Sequence, residues 1–309
     1  MRKRILKPVF KILLYSVSIA FICGCISLIL LQINLPSKED KTNIDYPDVF
    51  ADNVSLHEFE FYEQFQVSSA ENFNTQYDVT PKAQKQGTVR IPVLTYHHVA
   101  PVPNNSGRDY FVSPEIFEEQ LAYLSEKGYQ TLTPQEFYDI LASGKNPIQK
   151  SVLLTFDDGN FDNYKYAFPL LKKYHMTGTF YVPSHRSGIK SSQLKEMADA
   201  GMVIDPHGKT HMMLKNVTNS DSLYQELVVS KNTLQNLTGK KVVSFCYPGC
   251  EYNGSVTSTL ASNGYLVAFS CGMSIDHKLG SRFVLSRMHV YDKMDHFKSI
   301  LSGIGYYPY

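Results

Sequence analysis

The chain has 309 residues, 43% of them apolar, the make-up of an ordinary globular protein with room for one large domain or two small ones. Its 30 basic and 29 acidic side chains nearly cancel, leaving a formal charge of +1. Nucleic acid needs a basic face to neutralise phosphates, and this balance offers none.

The N-terminus carries the first organised signal. Arg2, Lys3, Arg4, Lys7 and Lys11 precede an uncharged, mostly apolar run from Ile12 to Leu31. Helical residues rise about 1.5 Å each, so this run matches the roughly 30 Å hydrocarbon core of a bilayer. The run is longer than a secretory h-region and no A-x-A-like site follows it, so the reading is an uncleaved anchor. The cations assign residues 1–11 to the cytoplasm and everything after 12–31 to the exterior. Residues 32–88 are polar, acidic in patches and without an apolar period, and read as an extracellular stalk. The expected location is therefore the cell membrane, single-pass, with a domain at 89–309 outside the cell that cleavage of the stalk would release. Outside the anchor stand three cysteines, Cys246, Cys250 and Cys271. An oxidising exterior permits a Cys246–Cys250 or a Cys250–Cys271 bridge, and small buried thiols fit equally well.

From Thr88 strands and helices alternate. Val89 to Tyr96 reads as a strand. Ser113-Pro114-Glu115 gives a cap, a first-turn proline and an acid for a helix to Glu126 that stops at Gly128. Thr133-Pro134-Gln135-Glu136 repeats that signature for a helix through Leu141. Val152 to Phe156 is an apolar strand, Asp162 to Tyr174 an amphipathic helix and Gly178 to Pro183 a strand. Ser191 to Ala200 is helical, Met202 to Asp205 a strand, and Ser220 to Leu237 a long helix closed by Gly239. Val242 to Tyr247, Ser255 to Asn263 and Leu266 to Ser270 continue as strand, helix and strand. Such alternation demands parallel pairing with right-handed crossovers. With six or more units it favours an α/β barrel over an open sheet, and barrel chemistry gathers at the C-terminal ends of strands.

Two motifs stand at such ends. In SVLLTFDDGNFDNY (Ser151–Tyr164) the strand runs into Asp157, Asp158 and Gly159. Adjacent carboxylates repel and resist burial, so a purely structural role uses them poorly. After the next strand but one comes Ile204-Asp205-Pro206-His207-Gly208-Lys209-Thr210-His211. Two imidazoles and one carboxylate make a three-ligand set with an open coordination position, as catalytic metal sites have.

Thr155-Phe156-Asp157-Asp158-Gly159 together with His207-Gly208-Lys209-Thr210-His211 resembles the signature of the polysaccharide deacetylases of carbohydrate esterase family 4. The likeness runs from Arg90 to about residue 300. Pro92-Val93-Leu94-Thr95-Tyr96-His97-His98-Val99 and Gly128-Tyr129-Gln130-Thr131-Leu132 are similar to the branch of intercellular-adhesin deacetylases, which act on poly-β-1,6-N-acetylglucosamine of biofilms. The resemblance implies a distorted (β/α)7-type barrel that hydrolyses N-acetyl groups on an extracellular polysaccharide. It implies Asp158, His207 and His211 as ligands of a divalent metal, zinc, with Ni2+ or Co2+ as substitutes. It further implies Asp157 as general base and Tyr247-Pro248-Gly249 as the substrate and oxyanion segment, with Gly249 offering the N–H. His97 is the implied general acid, His289 its alternative, and His98 points the other way on a strand of period two. Implied partners are the polymer, the membrane and exopolysaccharide synthesis and export proteins. Two positions depart from the family pattern. Relatives have Pro-aromatic-Gly where this chain has Pro248-Gly249-Cys250, and many have arginine at Cys246. The brace of Asp157 and the wall against the sugar are therefore unassigned, and Cys250 reads as a buried or bridged thiol instead of a fourth ligand.

Three rivals remain. Peptidoglycan N-acetylglucosamine suits an anchored outer domain as well as the adhesin polymer does. A glycosidase would need two carboxylates and no metal, which leaves the histidine pair unused. An impaired glycan-binding module would explain the altered 248–250 segment but not the intact Asp157, Asp158, His207 and His211.

Overall fold

Pro92 cuts the first expected strand in two. In the computed structural model, which describes residues 87–104 and 107–303, β1 (Val89–Arg90) and β2 (Val93–Tyr96) flank it. A proline cannot donate to a ladder, but its carbonyl still accepts, here from Leu153 N at 3.0 Å. The basic tail (1–11), the anchor (12–31) and all but the last two residues of the stalk (32–88) lie outside the described residues. Among the described residues no helix is long and apolar enough to cross a membrane.

Short strands β3 (His98–Val99) and β4 (Phe111–Val112) lead into α1 (Pro114–Glu126). Ser113 caps α1 by accepting from Ile116 N, and Gly128 follows in the left-handed region at φ 70°. After β5 (Gln130–Thr131), α2 (Pro134–Ser143) starts on a full capping box between Thr133 and Glu136 and ends at left-handed Gly144. β6 (Ser151–Phe156) is followed by a π-helical turn, Asn163–Ala167, that runs into α3 (Phe168–Lys173). Next come β7 (Thr179–Val182), α4 (Ser191–Asp199) and β8 (Val203–Pro206). The long helix expected over 220–237 is α5 (Ser220–Leu223), a π-helical stretch Tyr224–Val229 and α6 (Ser230–Thr238). β9 (Ser244–Cys246), α7 (Gly254–Ser262), β10 (Val267–Phe269), β11 (Asp276–His277), β12 (Met288–His289) and α8 (Met294–Ser302) complete the order.

The main sheet is parallel in the order β12-β2-β6-β7-β8, with β5 also on β6. β9 and β10 pair separately, and a parallel bridge from Phe269 to Leu285 returns the chain toward β12. Seven parallel strands thus succeed one another around a ring, with one seam, between β8 and β9, that no ladder closes. Asp205 stitches that seam: its Oδ2 accepts from Ser244 N at 2.9 Å and from Ser244 Oγ at 2.5 Å.

Period two along β6 sorts its side chains. Val152, Leu154 and Phe156 join the core under the helices, while Leu153 joins the inner core with Tyr181 and Phe269. Phe156 stacks between Tyr96 and Phe180 at 5.1 and 4.6 Å between centroids. Such aromatic contacts contribute about 0.5–1.5 kcal/mol each beyond area burial. The same period carries Asp157 onto the inner face, at the mouth of the ring.

Candidate active site

Asp157 leaves β6 with its N–H on Tyr96 O at 2.9 Å and its carboxylate buried. A buried carboxylate needs a partner. Arg287 provides it: Nη1 donates to Oδ1 and Nη2 to Oδ2, both at 2.7 Å. Arg287 also donates to Thr155 Oγ1 at 3.0 Å, to Ser270 O at 3.3 Å and to Cys246 Sγ at 2.8 Å. Burial works to raise the Asp157 carboxyl, but the Arg287 charge and its paired hydrogen bonds outweigh it and hold the acid below its ordinary value. The Cys246 thiol, by contrast, is pushed up by burial and acts as a neutral packing group.

Asp158 takes the left-handed conformation at φ 71°, and Gly159 follows at 64°. For a non-glycine residue that conformation costs about 1–2 kcal/mol, and here it swings the second carboxylate back toward the mouth. Its Oδ1 lies 3.5 Å from His207 Nε2 and 3.2 Å from His211 Nε2. One ligand atom from each of these residues lies within 4.8 Å of the other two.

The donor chemistry fits a metal. Nδ1 of buried His207 is 2.8 Å from Cys246 O, a contact that assigns the proton to Nδ1 and leaves the Nε2 lone pair facing Asp158. Burial tends to raise the Asp158 carboxyl, but the His207 and His211 imidazoles beside it outweigh burial and hold the acid far below its usual range. The Asp158 hydrogen bond in turn raises His211. Asp157, His207 and Cys246 also lie within reach of one another. There, however, Asp157 is committed to Arg287 and the thiol resists ionisation, so the Asp158 set is the better cage.

Glu226 shapes the turn that carries the histidines. From the π-helical stretch its buried carboxylate accepts from Lys209 N at 2.7 Å, Thr210 N at 3.0 Å and Thr210 Oγ1 at 2.6 Å. Gly208 sits at φ 79°, and a Cβ there would come 2.7 Å from Glu226 Oε2, so this position requires glycine. His211 follows at φ 64°.

His97 lies with Tyr110 and His289, its ring centroid 5.0 and 5.5 Å from theirs. Burial lowers it to about 4, although Asp157 and Asp158 pull the other way. His289 Nε2 pairs with Asp109 O at 2.7 Å. His98 turns aside: its Nδ1 meets Asp162 Oδ2 at 2.7 Å and its ring stacks on Phe111.

The 248–250 segment is a single tight turn with Gly249 at φ 60° and Cys250 at φ 63°. Cys250 is disulfide-bonded to Cys271 with Cα atoms 5.3 Å apart, and Cys246 is free. The bridge takes Cys250 out of consideration as a ligand. The Tyr247 ring is buried, with its hydroxyl donating to Phe283 O at 2.7 Å, so the ring itself is no wall for a sugar. The exposed ring beside the turn is that of Tyr252, 5.0 Å from Tyr247.

The chain has known relatives. A family model described as polysaccharide deacetylase matches residues 144–268. YxkH of Bacillus subtilis, assigned as a polysaccharide deacetylase, is 31% identical over 217 residues, 69% of this chain and 76% of its own. The chain belongs to the polysaccharide deacetylase family. The poly-beta-1,6-N-acetyl-D-glucosamine N-deacetylase of Staphylococcus epidermidis is 27% identical over 181 residues, 53% of this chain and 62% of that one. Among solved structures, the Streptococcus pyogenes deacetylase PplD, in complex with acetate, superposes with a TM-score of 0.64 at 26% identity. That match covers 70% of this chain and 98% of PplD.

Two functional residues escape sequence reasoning. Arg287 replaces the arginine expected at Cys246, and it reaches Asp157 from the residue before β12, 130 positions away. A lone arginine inside the apolar segment Leu285–Val290 is the signal that marks it, since burial there demands an acid. Glu226 is hidden in an amphipathic helix, where a glutamate reads as solvated.

Proposed function

We propose that this deacetylase-family chain is a metal-dependent de-N-acetylase of an extracellular N-acetylglucosamine polysaccharide, with poly-β-1,6-N-acetylglucosamine as its polymer. The convergence of Asp158, His207 and His211 on one point beside a braced, ionised Asp157 carries the reading. The staphylococcal relative supports the choice of polymer, and anchoring through 12–31 would place the domain where that polymer lies.

A divalent ion held by Asp158, His207 and His211, zinc or in its stead nickel or cobalt, would supply Lewis acidity toward the acetamide carbonyl and make water a stronger acid. Asp157 then takes the proton of the attacking water. Arg287 occupies one lone pair on each carboxylate oxygen and leaves the others free to accept. The Gly249 N–H is the donor we assign to the developing oxyanion. A C–O bond forms, the amide C–N bond breaks, and the products are acetic acid and a free amine, which then ionise to acetate and ammonium. For the cleavage itself the leaving nitrogen needs one proton, the one the water gave to Asp157. We assign its delivery to His97 over His289, whose Nε2 is spent on Asp109. His97 is neutral at pH 7, so the proton it passes on is one received within the site during turnover.

The test is incubation of the full-length chain in detergent with β-1,6- and β-1,4-linked N-acetylglucosamine oligomers, scoring free amines by mass. Amines on the β-1,6 series, lost with chelator and restored by zinc, are expected. Preference for the β-1,4 series would redirect the reading to peptidoglycan, and no turnover with zinc, nickel or cobalt would reject it.

A further inference from the structure

Beyond the Asp158 turn the chain carries an aromatic row that the deacetylation chemistry does not use. Phe161, Tyr164 and Phe168 follow one another along the π-helical turn and α3, with centroids 6.1 and 5.9 Å apart; Phe161 is exposed, Tyr164 half-buried, and Phe168 a buried ring of the core that floors the row. Phe161 is 49% exposed, and what sets it apart from a lone exposed ring is the groove it opens with its neighbours. The three rings line an open groove of about 520 Å³ together with Lys172 and Glu196. Tyr164 Oη donates to Glu196 Oε2 at 2.7 Å, and Lys172 Nζ stands 5.2 Å from the Phe168 centroid.

One end of the groove lies near the candidate site. Phe161 is three residues from Asp158, and chain geometry allows at most about 3.6 Å per residue, so their Cα atoms are within about 11 Å of each other. The segment between is fixed, because Asn160 and Asn163 each donate a side-chain N–H to His97 O, at 3.2 and 3.0 Å. Flat rings edged by a carboxylate, an ammonium and a phenol match a pyranose, which offers a C–H face and a rim of hydroxyls. An apolar peptide helix would leave the Glu196 and Lys172 charges unpaired, and a polyanion would meet Glu196.

We propose that this groove is a distal subsite, holding sugar units of the same β-linked N-acetylglucosamine chain away from the unit being deacetylated. The inference rests on the reading of the reaction given above. Its consequence is dependence on chain length: a short substrate ends before Phe161 and a long one does not.

The test compares Phe161→Ala, Tyr164→Ala and the ring-preserving Phe161→Trp with wild type, on the N-acetylglucosamine dimer and the β-1,6-linked hexamer. Loss of one ring is expected to raise KM for the hexamer about three- to tenfold, leaving kcat and all dimer kinetics unchanged, and Phe161→Trp should behave as wild type. Equal effects on dimer and hexamer, or none on the hexamer, would overturn the subsite while the deacetylase reading stood. Direct calorimetry of hexamer binding judges the groove even if no acetate is released: weaker binding by Phe161→Ala supports it and unchanged binding rejects it. A wild type that sediments as a dimer, with Phe161→Ala monomeric, would assign the groove to a second copy and likewise reject it.

Discussion

Replacing Arg287 by alanine should injure stability and chemistry together, and the structure sets the scale. Its guanidinium is 1% exposed and its Asp157 partner 4%, with two parallel 2.7 Å bonds between them. Removing one member of a buried pair costs about 3–5 kcal/mol, because the survivor keeps its desolvation penalty. That is a large part of the roughly 5–15 kcal/mol that holds a domain together. The pH dependence has a definite sign. With Arg287 present, the Asp157 carboxyl lies below its ordinary value, so its ionised form stabilises the fold above pH ~4 and that contribution fades as pH falls through the depressed value. Without Arg287, burial is the largest influence left and drives the carboxyl upward against the weaker pull of His207 and His97. The deficit should then be greatest at neutral pH and shrink toward pH 4.5 as the acid takes up a proton. Urea unfolding at both pH values measures it, and the acid limb of acetate release should move to higher pH. An unchanged urea midpoint at pH 7, or a deficit that ignores pH, would refute the bracing role. Arg287→Lys retains charge but loses the fork, and should fall between.

Asp157→Asn should abolish acetate release with bound metal nearly unchanged, whereas His207→Ala should remove both, measured by metal analysis of the purified chains. His277 is buried with Nε2 3.0 Å from Ile91 O, and burial lowers it to about 4 from 6.5. The unfolded chain therefore binds a proton that the fold refuses, and stability should drop by about 3 kcal/mol between pH 6.5 and 4. His277→Gln should flatten that slope in thermal melts. Burial raises Asp205 to about 6 from 3.8, so its charge costs up to about 3 kcal/mol above pH 6 and nothing below 4. Asp205→Asn should accordingly be stabilising at pH 8 and neutral at pH 4, and a loss of stability at pH 8 would contradict the sign.

Local chemistry was readable in the chain, and distant pairing was not. Ser113-Pro114 and Thr133-Pro134 with Glu136 mark helix starts because a cap is settled within four residues, and both caps form. Asp157, Asp158, His207 and His211 stand out because such groups at strand ends have few bland uses. The split at Pro92 follows from its missing N–H, a local rule outweighed in the reading by the apolar run. Cys250–Cys271 was one of two permitted bridges, and only the approach of β10's exit to the 248–250 turn decides between them. Arg287 and Glu226 depend on which elements meet across the ring, information that no window of sequence holds.

The unlaced seam between β8 and β9 gives the His207 imidazole a double duty. One nitrogen faces the candidate ligand cluster, and the other ties the β8 exit to Cys246 O on β9. Anything that grips the first nitrogen draws on a side chain already fastened to the neighbouring strand, so occupancy and closure of the ring become linked equilibria. A ligand at a hundred times its Kd adds about 2.7 kcal/mol to a folded state that alone can bind it. Part of that gain should appear as slower amide exchange along Ser244–Cys246, a strand that contributes no ligand of its own.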